Sequence, residues 1–212
     1  MVGIFTDYLF EVGCDIFKKG DHMQYVQDDL LLKDEVLEEN QITQVVIDNL
    51  QKPYFYLISD ESVIEYIFEY CKNLLTYSMN KHGSKEIAYA INLNTLKFEG
   101  AEMGNSRTVD ITHLVEKIDD SECVFIVLHN HPSNNPFSPK DIETFMNAQN
   151  MLILMVLGNK GAMYIIEKSN DIVEYTEKLL LRRTLIDYRI GKISFSNVIS
   201  NLETLGIKYT CI

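Results

Sequence analysis

Two histidines one residue apart, His129 and His131, are followed by Asp141. Imidazoles and a carboxylate are ligands for divalent transition metals. Three such groups with a fourth position open are the arrangement of a catalytic zinc site. Ser138 stands three residues ahead of Asp141. Taken alone, a Ser-x-x-Asp before an apolar stretch is a capping box. The His-x-His pair has no comparably ordinary role, because two neighbouring imidazoles repel once protonated.

The elements that must bring these groups together are legible around them. Cys123–Leu128 is a continuous apolar run with the composition of a strand buried on both faces. If the strand persists through His131, the two rings point the same way. Pro132 cannot donate to the ladder and ends it. Ser138-Pro139-Lys140-Asp141 then reads as N-cap, proline at N1 and an acid at N3 of a helix reaching about Gln149. Two imidazoles at a strand end and a carboxylate in the next helix's first turn are placed to converge.

His129-Asn130-His131-Pro132-Ser133 followed by Ser138-Pro139-Lys140-Asp141 resembles the His-x-His-Pro … Ser-x-x-Asp signature of the JAB/MPN-type (JAMM) zinc metalloproteases. The wording is nearest to the bacterial RadC-like branch. The resemblance implies a cytidine-deaminase-like α/β domain, a mixed sheet flanked by helices. It implies one Zn2+ held by His129, His131 and Asp141, with an upstream glutamate as general base. Glu86 stands where such sequences carry that glutamate, and Glu99 and Glu102 are the alternatives. Ser138 would help hold the oxyanion. The implied reaction is hydrolysis of a peptide or isopeptide bond in a protein or peptide substrate, such as deubiquitinase-like processing of a ubiquitin-like modifier. The spacing departs from the usual pattern, with six residues between His131 and Ser138 in place of seven. The resemblance spans 60–168, about half of the chain.

Three other readings bear on the same residues. A zinc deaminase needs His-x-Glu and Pro-Cys-x-x-Cys, and the sequence contains neither. A metal-bearing binding module would keep the ligands without the chemistry. A RadC-like, nucleic-acid-associated module is opposed by charge. The 212 residues carry a net −12 with a pI near 4.8, and such a field repels polyanions and anionic membrane. With 46% hydrophobic and 24% charged residues the composition is that of a soluble globular protein. Cys14, Cys71, Cys123 and Cys211 are widely spaced and predict reduced thiols in a cytoplasmic protein. Asp7 and Glu11 interrupt the opening segment, which has no basic start and is not read as a signal peptide.

In chain order, 1–58 is read as an N-terminal extension of unknown role, 59–168 as the metal-bearing domain and 169–212 as a C-terminal helical hairpin. Val2–Phe10 and Val45–Leu50 are apolar enough for strands or short helices, Asp28–Asn40 predicts an acidic amphipathic helix, and Pro53–Ile58 a short strand. A helix from Asp60 to about Lys81 follows. Glu86–Leu93 alternates, with Ile87, Tyr89, Ile91 and Leu93 on one face and Glu86, Ala88, Ala90 and Asn92 on the other. Lys97–Gly104 predicts a turn or strand, and Ile111–Ile118 a helix carrying a surface His113. Met151–Leu157 and Ala162–Glu167 predict a hairpin about Gly158–Gly161. Asp171–Tyr188 predicts a helix broken by Gly191. A second helix capped by Ser196 follows, and then a short tail at Ile207–Thr210.

Overall fold

The alternation in Glu86–Leu93 sets the architecture. Every residue of β1 (Ile87–Asn92) is buried, but Ile87, Tyr89 and Ile91 enter one core while Ala88 and Ala90 enter the other. The small face lets helices approach closely. The computed structural model describes residues 34–168 and 175–212, and these form an α/β fold around a mixed six-stranded sheet. Its strands are β1, β2 (Lys97–Met103), β3 (Phe125–His131), β4 (Met151–Gly158), β5 (Met163–Glu167) and β6 (Lys208–Cys211), in the order β2-β1-β3-β4-β5-β6. Only β3 and β4 run parallel, and a parallel pair requires a crossover.

On the large-residue face lie α1 (Gln44–Asp48) and α2 (Glu61–Lys81), burying Ile47, Ile67, Leu74 and Leu75 against Ile126, Leu128 and Met155. The opposite face carries α3 (Thr112–Asp119), α4 (Pro139–Asn147), α5 (Tyr175–Arg189) and α6 (Phe195–Thr204). Of these, α4 is the crossover between β3 and β4. Asp60 caps α2 by accepting from the Ser62 N–H at 2.8 Å, as its position at the predicted helix start requires.

Four local readings change. The acidic stretch reaches the described residues only at 34–40, where there is a 3-10 turn (Glu38–Asn40) and no longer helix; Asp34 is drawn off to Lys85 and the Ser106 N–H. Pro53–Ile58 is not a strand, because the Tyr56 and Leu57 N–H groups donate to the Glu167 carboxylate at 2.9 Å each. Helix α6 starts two residues earlier than read, with Ser194 as its N-cap in place of Ser196. The short tail is β6, paired antiparallel with β5 from Tyr164↔Cys211 to Glu167↔Lys208. Val2–Phe10, Cys14, Asp28–Lys33 and the start of the predicted helix at 171 lie outside the described residues. Among the described residues no helix is long and apolar enough to cross a membrane.

Candidate metal centre

Strand β3 is buried along its whole length and does not stop at Leu128; it carries both histidines to its end, and Asn134 in the following loop has φ 56°. That end is the carboxyl end of the parallel pair, where open α/β sheets place their ligands. His129 and His131 share one face. Their Nε2 atoms are 3.0 Å apart. The loop after them returns the chain to α4, whose first turn is closed reciprocally. Asp141 N–H donates to Ser138 Oγ at 3.2 Å, and Ser138 N–H donates to Asp141 Oδ2 at 2.6 Å. The cap therefore aims the carboxylate. Its Oδ1 lies 3.6 Å from His129 Nε2 and its Oδ2 3.5 Å from His131 Nε2.

These three residues form a buried group able to hold a metal ion. The donor separations bracket the ~3.4 Å edge of a tetrahedron built with zinc's bond lengths of about 2.0–2.1 Å. His131 is oriented from behind, its Nδ1 lying 3.0 Å from the Asn135 carbonyl oxygen, a support typical of metal-binding imidazoles. His129 Nδ1 is buried with no hydrogen-bond partner among the described residues, so that ring has no support from behind and is oriented by packing and by its Nε2 contacts with His131 and Asp141. The loop itself is pinned to the β4–β5 turn: Lys160 N–H donates to Asn134 Oδ1 at 3.1 Å, and Asn159 N–H to the His131 carbonyl at 3.0 Å. Gly158 makes this approach possible, since a Cβ there would collide with the Asn134 side chain.

Glu86 stands immediately ahead of β1. The antiparallel register pairs Ala88 with His129, so Glu86, two residues earlier, lies on the same face beside the histidine end of β3. It is only 5% exposed and lines the same cleft, of about 510 Å³, as His129, His131, Ser138 and Asp141. Glu99 and Glu102 do not line it; Glu99 is paired with Lys117 at 3.3 Å. His113 is exposed and lies beside Glu116 at 3.5 Å.

The electrostatics separate the two carboxylates. Burial pushes Glu86 up to about 7, the charge of His129 opposing this and that of Asp141 adding to it. Burial works the same way on Asp141, but His129, His131 and the Ser138 hydroxyl outweigh it and hold that carboxyl well below its ordinary range. Burial and the neighbouring His129 bring His131 down to about 4, the neutral form that binds metal. For His129 burial disfavours charge, and Asp141 together with Glu86 more than reverses that.

The link between Glu86 and the histidines was not read from the sequence. Asn130, between the two ligands, is fully buried, and its Oδ1 accepts from Ile87 N–H at 2.8 Å. Its amide donates to the Lys85 carbonyl at 3.1 Å and to Asn159 Oδ1 at 2.8 Å. Asn159 in turn donates to the carbonyls of Asn40 and Ser84. Both carboxamides are fully used, and they clamp the segment before Glu86 onto β3. The position of Asn130 inside the His-x-His pair is the one local hint of this. No protein-family model, no curated protein and no solved structure matches the chain.

Proposed function

We propose that this chain is a zinc-dependent metallohydrolase of the JAB/MPN (JAMM) type, RadC-like in its motif, with that family's cytidine-deaminase-like fold. Its reaction is hydrolysis of a peptide or isopeptide bond. The observation that carries this reading is one cleft holding a buried His-His-Asp donor set together with a buried glutamate poised near neutrality. His129, His131 and Asp141 would hold the Zn2+, which when bound supplies a Lewis acid and lowers the pKa of water. Glu86 takes a proton from the attacking water and returns it to the leaving amine. Burial in the cleft makes this carboxylate a stronger base than an exposed one, before the charge of a bound metal is counted, and so favours its taking the proton. Ser138, at the cleft wall, donates to the oxyanion as the carbonyl carbon becomes tetrahedral.

The net charge of −12 supports a protein or peptide substrate, a ubiquitin-like modifier among them, over nucleic acid. Free thiols at Cys71, Cys123 and Cys211 support a reducing, cytoplasmic setting.

The test joins metal content to cleavage. The purified chain should carry about one zinc, lost in His129→Ala and His131→Ala. Glu86→Gln keeps the size and hydrogen bonding of the acid but takes no proton near neutrality. It should keep its zinc and cleave a quenched-fluorescence peptide or a modifier fusion at least ~100-fold more slowly. Unchanged cleavage by Glu86→Gln, or zinc retained without the histidines, would overturn the reading.

A further inference from the structure

The two histidines are supported unequally, and the inequality traces to a residue outside the donor set. His131 ends β3 and pairs in parallel register with Gly158, which ends β4. Because Gly158 has no side chain, the loop beyond His131 folds back over it, and Asn134 fills the space that a Cβ would take. Asn134 has φ 56°, in the left-handed region that asparagine enters more readily than most residues. Its N–H donates to the His131 carbonyl at 3.1 Å, and its Oδ1 accepts from Lys160 N–H at 3.1 Å. Its own carbonyl accepts from the Tyr164 hydroxyl of β5 at 3.2 Å. The next carbonyl along, that of Asn135, is the one 3.0 Å behind His131 Nδ1. The support of the His131 ring therefore hangs on the residue directly after Asn134.

We propose that Asn134 is the positioning residue for His131: by tying the loop to β5 and to the β4–β5 turn, it keeps the Asn135 carbonyl behind the ring and Nε2 aimed at the donor set. This rests on the metallohydrolase reading and assigns a role to a residue that itself touches neither metal nor substrate. An imidazole held from behind keeps its proton on Nδ1 and its ring in one orientation, and loss of such a partner typically weakens metal binding ~10–100-fold. The position asks for two things at once, a left-handed backbone and a short side-chain acceptor. Aspartate supplies both and alanine neither. His129, whose Nδ1 has no partner among the described residues, is a built-in control.

Zinc affinity of the full chain, measured against a competing chelator, tests this without any substrate. Asn134→Ala should bind zinc at least ~10-fold more weakly than the native chain, and Asn134→Asp within about twofold of it. Tyr164→Phe removes only the hydroxyl that holds the Asn134 carbonyl and leaves the ring in place. It should weaken zinc at least ~3-fold, and it decides the matter if Asn134→Ala does not fold. Imidazole proton exchange, followed by nitrogen-15 NMR on the zinc-loaded proteins, gives a reading that general destabilisation would not move. In the weakened variants the His131 Nδ1 proton should exchange at least ~10-fold faster while that of His129 keeps its native rate. Native zinc affinity in Tyr164→Phe or in folded Asn134→Ala, a loss in Asn134→Asp equal to that in Asn134→Ala, or both imidazole protons quickened alike would each overturn the assignment. A native chain that takes up no zinc would instead overturn the metallohydrolase reading, and this inference with it.

Discussion

Helices α4 and α6 begin with the same device and differ in what surrounds it. Each has a serine N-cap and an acceptor side chain three residues on, Ser138 with Asp141 and Ser194 with Asn197. In α6 the Asn197 Oδ1 accepts from both Ser194 N–H at 3.1 Å and Ser194 Oγ at 2.7 Å, and both residues are exposed. In α4 the Asp141 carboxylate, its side chain 18% exposed, accepts from Ser138 N–H and also faces two imidazoles. One cap only starts a helix; the other also turns its carboxylate toward two imidazoles. What separates them is the end of β3, which stands beside the first and not the second. A capping motif thus carries chemistry only when the fold supplies the remaining donors.

The sharpest break in this comparison is Asp141→Asn, which makes the first cap a chemical copy of the second. The amide oxygen still accepts from Ser138 N–H, so the helix start should survive, with a circular dichroism spectrum like the native one. Zinc affinity should fall at least ~100-fold in a competitive chelator titration, because an anionic ligand is lost. Native zinc affinity in this variant would reduce Asp141 to a cap.

Serine removal sharpens the same contrast on stability. Ser138→Ala removes the acceptor for Asp141 N–H in a half-buried turn and should cost about 1 kcal/mol in urea denaturation. Ser194→Ala loses a hydroxyl that donates at the surface and should cost about half as much. A reversed order would mean that α4 is held by its packing and not by its cap.

The two caps should also respond differently to acid. In metal-free protein the Asp141 carboxyl is depressed below its unfolded value. The unfolded chain then binds more protons in acid, so this group's contribution is present above about pH 4 and lost as pH falls further. Asn197 does not titrate. Denaturation of the metal-free chain across pH 5 to 2 should show the loss in the native protein and a smaller one in Asp141→Asn; parallel curves would deny the ion-pair contribution. The smallest effect is that of Asn197→Asp, which places a charge at an exposed helix N-terminus, stabilises by a few tenths of a kcal/mol and binds no zinc.

The site was legible in the sequence where its signals were local. Proline after the histidines, proline at N1 and an acid at N3 act through backbone geometry within a few residues, so β3 and α4 stand where their sequence places them. The alternating faces of β1 were equally readable, because a side-chain period of two does not depend on the partner strand. Signals failed where a distant group competed for the same backbone. Pro53–Ile58 has strand composition, but the Glu167 carboxylate takes its N–H groups.

By itself, then, the sequence determined a His-His-Asp donor set, the strand and helix that present it, and a net charge of −12. Tertiary structure alone decided that Glu86 and not Glu99 or Glu102 shares the cleft, since the antiparallel register of β1 on β3 chooses among them. It alone made the last residues a sixth strand and carried Tyr188 and Phe195 to the cleft that His129, His131 and Asp141 line. The physical reason is common to all three. Strand pairing and core burial join residues far apart in the chain, and no local spacing records which partner will be nearest once the apolar faces are covered.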